Sequence, residues 1–145
     1  MSGMITAYKV LTKCRDRFYG VFVFPFFIDS AAPGCVEYKT NTFVRRKPGC
    51  GPLFVYKSLE DALCGYIHTN KFISLCTIIP SKQEIGWVRN PNKNINGLSL
   101  QSNLKMTSGP SVLSMGTLLC NAIRLDTEPF CLWGKTYEQI MRRFE

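Results

Sequence analysis

The sequence predicts one α+β domain spanning residues 1–145, built from an antiparallel-rich mixed sheet and two short helices. Three observations predict it. At 145 residues the chain has the length of a single domain. Most apolar residues fall in short runs rich in β-branched and aromatic side chains, separated by Pro, Gly and charged turns, which is the pattern of strands. Only two segments, about 59–68 and 137–144, combine a helix-start residue with apolar spacing of three and four. Hydrophobic residues at 46% and charged residues at 19% supply a core and exclude a disordered chain. No internal repeat is visible.

Residues 4–11 read as the first strand and 18–24 as the second, joined through the charged turn Lys13-Cys14-Arg15-Asp16-Arg17. Ala31-Ala32-Pro33-Gly34 is a turn, and short strands follow at 35–39 and 42–46. The breaker Lys47-Pro48-Gly49-Cys50-Gly51-Pro52 separates these from the strand Leu53–Tyr56. Ser58 is placed to cap the first helix, with Glu60 and Asp61 near the positive end of its dipole. Leu59, Ala62, Leu63 and Tyr66 form its apolar face. Phe72–Ile79 completes a strand–helix–strand unit, and 84–89 reads as one more strand. Residues 90–111 hold five Asn, four Ser, two Gly and two Pro, and are expected to be a long loop serving as lid, binding segment or spacer. Core-like sequence returns at 112–119 and 120–125, divided by Met115-Gly116. The second helix opens with a capping box, Thr136 to Gln139. Tyr137, Ile140, Met141 and Phe144 are expected to be its buried face, and Arg142 and Arg143 suit its negative end.

Eighteen basic residues against ten acidic ones leave a net charge of +8, which favours acidic partners. The excess is spread along the chain, and only Lys9/Lys13/Arg15/Arg17 and Arg45-Arg46-Lys47 look clustered. Were 42–46 a strand, Arg45 and Arg46 would point to opposite faces. The seven cysteines are odd in number and contain no CxxC pair, so reduced thiols in an intracellular setting are expected. Met1-Ser2-Gly3-Met4 runs straight into strand-like sequence, without the pattern of a signal peptide. The apolar run Phe18–Ile28 is too short for a spanning helix, which takes ~20 residues, and Pro25 interrupts it.

Reactive groups are sparse. His68 is the one histidine and sits at the end of the first helix, where a cation suits the dipole. Neither GxGxxG nor GxxxxGK[ST] occurs, and no metal or cofactor is expected. Glu60-Asp61 reads as a helix start rather than a catalytic pair. Asp126 and Glu128 flank Thr127 on one side of an extended segment, as solvated turn acids do. The aromatic cluster Phe22, Phe24, Phe26 and Phe27 adjoins few positive charges, so core packing or burial against a partner explains it better than base stacking.

Three stretches carry a resemblance: Ala7-Tyr8-Lys9-Val10, the segment Gly51–Ala62, and Gly116-Thr117-Leu118-Leu119-Cys120-Asn121-Ala122-Ile123-Arg124-Leu125. In that order they resemble a small uncharacterised domain of large DNA viruses, phages and some cellular genomes. The resemblance implies a viral context and transfers no catalytic residue. The chain is accordingly expected to be a non-enzymatic binding or structural module, such as a minor capsid-associated protein of a large DNA virus. Its expected contacts are Phe26, Phe27, Arg45, Arg46 and Lys47, facing a protein partner in an assembly or a polyanion, with no membrane span. One alternative is a small enzyme acting on a nucleotide or modified protein through Glu60, His68 or Asp126. The other is a non-specific nucleic-acid-binding protein.

Overall fold

The computed structural model describes residues 3–20, 36–46, 52–82, 85–88, 96–100, 111–113 and 116–145, with 85–88, 96–100 and 111–113 described by backbone alone. The fold is α+β in outline and dominated by strands. Among the described residues, helix is confined to α1, Leu59–Leu63, of five residues, and α2, Tyr137–Arg143, of seven. No helix among the described residues is long and apolar enough to cross a membrane.

The strands are β1 (Ile5–Cys14), β2 (Arg17–Gly20), β3 (Glu37–Tyr38), β4 (Phe43–Arg45), β5 (Leu53–Tyr56), β6 (Phe72–Pro80), β7 (Ile85–Val88), β8 (Asn96–Leu100), β9 (Ser111–Leu113), β10 (Thr117–Leu125) and β11 (Phe130–Cys131). β1 and β2 form a hairpin, with Cys14 opposite Arg17. Its turn is only Arg15-Asp16, both at positive φ (52° and 67°), the mirror-image geometry that matches strand twist. The charged segment 13–17 is therefore not one loop: β1 runs on through Lys13 and Cys14, and β2 begins at Arg17.

β1 also pairs along most of its length with β6, from Ile5 opposite Ile78 to Leu11 opposite Phe72. β6 pairs with β10, β10 with β5, and β5 returns to β1 through the single registered pair Tyr8–Tyr56. The four strands thus close a ring. β4 adds to β10, and β11 adds to β6. A separate three-stranded sheet joins β7 antiparallel to β8, and β8 parallel to β9. The stretch 90–111 is consequently not all loop, because Asn96–Leu100 is a strand. Its Leu98-Ser99-Leu100 alternation has the two-residue period of a strand within a polar composition.

Strand alternation splits the core in two. One face of β1 sends Ala7 and Leu11 into a cluster with Val36, Tyr38, Val55, Cys76, Ile78, Cys120, Ile123 and Leu125. The other face sends Val10 into a cluster with Tyr56, Leu59, Ala62, Leu63, Ile73, Leu132 and Ile140, so both helices pack there. α1 begins at Ser58, whose Oγ accepts from the Asp61 backbone N–H at 3.1 Å and donates to Asp61 Oδ2 at 2.8 Å. The helix ends at Leu63 rather than at 68. After Cys64 the N–H groups of Tyr66 and Thr69 bond three residues back, Gly65 lacks helix propensity, and His68 turns left-handed at φ 66°. Tyr66 and Ile67 still pack against the same core.

Candidate functional site

Two stretches expose large apolar side chains among the described residues: Met4-Ile5 at the start of β1, and a segment holding Trp133, Tyr137 and Met141. Leu132 is fully buried, and its N–H donates to the Lys71 carbonyl at 2.9 Å, continuing the β11–β6 pairing by one residue. The next side chain, Trp133, points outward and is 66% exposed. Gly134 at φ 72° turns the chain, and Thr136 then caps α2. The Thr136 N–H donates to Gln139 Oε1 at 2.8 Å, and the Gln139 N–H donates to Thr136 Oγ1 at 3.2 Å. The expected capping box is present.

That box fixes where the helix starts and hence which side meets the sheet. Ile140 takes the central position and is fully buried, while Phe144 packs edge-on against Tyr8 with ring centroids 5.6 Å apart. At about 100° per residue, Met141 is turned well away from Ile140, whereas Tyr137 is in line with Phe144 but two turns earlier, at the start of the helix. Tyr137 and Met141 are 40% and 39% exposed. The four-residue buried face expected from spacing is therefore corrected to Ile140 and Phe144, because Met141 is turned off the buried line and Tyr137 stands in the exposed first turn.

Three cations lie on the same segment of chain. Lys135 Nζ and Arg143 Cζ stand 5.5 and 5.8 Å from the centroid of the Phe130 ring, and Arg142 is exposed. Among the described residues none of the three is in an ion pair. Glu138 and Glu145 are exposed on the same segment.

The residues singled out from sequence are dispersed. Arg45 is exposed at the end of β4 and Arg46 is half-buried just after it, with its N–H bonded to the Asn121 carbonyl at 3.3 Å. Phe26, Phe27 and Lys47 lie outside the described residues. Glu60 is exposed in the first turn of α1, and His68 is exposed in the turn beyond it. Asp126 is engaged at the end of β10: Oδ1 accepts from Arg124 Nε at 2.7 Å, and Oδ2 accepts from the Thr77 hydroxyl at 2.6 Å. Both oxygens serve a clamp between β10 and β6. No group of three His, Cys, Asp or Glu among the described residues is placed to hold a metal ion.

Lys9, read from sequence as part of a surface cluster with Lys13, Arg15 and Arg17, is instead 2% exposed. It stands between Ala7 and Leu11 on the face of β1 that turns inward, and alternation alone was the signal for that. Its Nζ donates to the Phe54 carbonyl at 2.8 Å and lies 4.2 Å from the Phe54 ring centroid and 5.2 Å from that of Tyr38. No carboxylate pairs with it among the described residues. Burial holds its pKa down to about 8, against the opposing pull of Cys120 and Cys76. The same burial pushes the thiols of Cys76 and Cys120 up to about 12 and raises the Tyr38 hydroxyl. Lys9 reaches the β1–β5 seam where the ladder has only one registered pair, and supplies a donor there.

No family model, no curated protein and no solved structure matches the chain.

Proposed function

We propose that this chain is a non-enzymatic protein-interaction module that docks through the segment 133–143. The observation that carries this reading is the exposure of Trp133, Tyr137 and Met141 on one short stretch of chain. Exposed apolar groups in a patch mark contact sites, whereas singly scattered ones do not. Trp, Tyr, Met and Arg are also the residue types enriched where proteins meet. Arg45 adds an exposed cation on β4. Phe26, Phe27 and Lys47 stay in the reading on their sequence alone. A place in a large DNA virus assembly belongs to the same proposal and rests on the resemblance of the three sequence stretches.

The test places a photo-reactive amino acid at position 133 in cells that naturally make the protein, with the same group at exposed Lys82 as control. Discrete adducts from position 133, absent from position 82, are expected. Equal patterns from both positions, or none from 133, overturn the docking surface.

A further inference from the structure

We propose that this chain pairs with a second copy of itself through the open flank of α2, the two helices lying antiparallel about a twofold axis. This rests on the interaction reading above and names the occupant of its surface. At about 100° per residue, Tyr137, Met141, Glu138 and Arg142 follow one another around a single arc of ~140°. All four are exposed. The middle of the arc lies ~110° round from the line of Ile140 and Phe144 that meets the core, so it opens sideways to solvent. Arg143 falls outside it, against the Phe130 ring.

This flank is complementary to itself. Its apolar edge is the pair Tyr137 and Met141, and its charged edge is the pair Glu138 and Arg142, each four residues apart along the helix. The midpoints of the two pairs differ by one residue, a rise of about 1.5 Å, so one twofold axis between them serves both. An antiparallel copy then sets Tyr137 against Met141 and Glu138 against Arg142. Each contact occurs twice, because a twofold interface is isologous. Glu138 and Arg142 also have the spacing and order of an ion pair within one helix. No ion pair among the described residues joins them, so both charges are open to the second copy. An acidic partner would meet Glu138 and a basic one Arg142, whereas the identical flank satisfies both. The net charge of +8 on each copy opposes general association, so the pairing depends on these local contacts.

The experiment follows the full chain by sedimentation equilibrium at concentrations up to ~1 mM, the weak end of specific association. A monomer–dimer equilibrium is expected. Glu138→Arg and Arg142→Glu should each weaken the dimer tenfold or more, because each sets like charges opposite one another twice. Mixing the two variants should restore pairing as a one-to-one heterodimer, since the basic flank of one then faces the acidic flank of the other. Lost folding cannot produce that rescue. A chain that stays monomeric throughout, a dimer indifferent to both substitutions, or variants that do not pair when mixed each overturn the assignment. Crosslinking from position 133 reports separately on docking, so adducts there to another protein, from a chain that remains monomeric, leave the module reading standing and remove this one.

Discussion

An ammonium in an apolar interior is costly unless a counter-charge accompanies it, and Lys9 has a carbonyl and two rings instead. Its pKa falls from 10.5 in the unfolded chain to about 8 in the fold. The unfolded state therefore binds more protons between those values, and stability rises with pH across them. At ~1.4 kcal/mol per pH unit, the buried charge costs on the order of 3 kcal/mol at pH 7. Lys9→Met is expected to raise stability near neutral pH by ~2 kcal/mol, the difference being the donor lost to Phe54, worth ~1 kcal/mol. It should also abolish the rise above pH 8. Cys76 and Cys120 act with the opposite sign: their folded pKa values near 12 keep protons that the unfolded chain releases from pH 9, so stability declines there. Urea denaturation of both forms across pH 6–10 checks this, since a change of ~2 kcal/mol moves the midpoint by ~0.7–2 M. A Lys9→Met variant less stable than the parent at pH 7 would mean that the ammonium holds the seam more strongly than burial opposes it.

At the scale of the element, α1 and its surroundings were readable in sequence where the cause is local. The Ser58 cap and the Thr136–Gln139 box stand where the residue types put them. Ser58→Ala is expected to cost ~1 kcal/mol through the lost cap, and Leu63→Ala ~2–5 kcal/mol through the cavity left behind. Chemical denaturation giving the reverse order would mean that α1 contributes little to the core. Gly116 was legible only as a divider, yet its role comes from across the fold. It sits at φ 84° with the Asp61 side chain where a Cβ would stand, while its carbonyl accepts from the Lys57 N–H at 2.9 Å. Gly116→Ala should therefore destabilise the protein by at least ~1–2 kcal/mol, the cost of a left-handed non-glycine residue, before any shift of Asp61 is counted. Hydrogen exchange should show the loss concentrated at the start of α1. A uniform effect over the sheet would contradict the close approach. The exposed flank of α2 differs from the periodicity for a comparable reason: spacing reports which residues are apolar, while the way the helix lies on the rest of the fold decides which of them are buried.

For the molecule as a whole, strand existence was largely visible and strand partnership was not. Leu53–Tyr56 announces itself by composition, but nothing in it says that β10 lies on one side and a single pair with β1 on the other. The two-residue β11 carries too short a pattern to be seen at all. The same global arrangement sorts the thiols. The five described cysteines differ in depth: Cys64 is exposed, Cys14 and Cys131 are intermediate, and Cys76 and Cys120 are buried. Because the thiolate is the reacting form, native alkylation is expected to reach Cys64 first, and Cys76 and Cys120 only at the rate of global unfolding. Peptide mass mapping over time checks the order, and early labelling of Cys76 or Cys120 would place them outside the core. The closure of the ring also dictates when folding finishes. β1 and β6 pair early in the chain, whereas β10, at 117–125, supplies the strand that joins β6 to β5. During synthesis the ribosome thus releases an open, unfinished sheet, with the Lys9 ammonium still hydrated, until residues 117–125 emerge. A nascent chain stalled before Thr117 is expected to remain protease-sensitive, and one released beyond Leu125 to acquire resistance in a single late step.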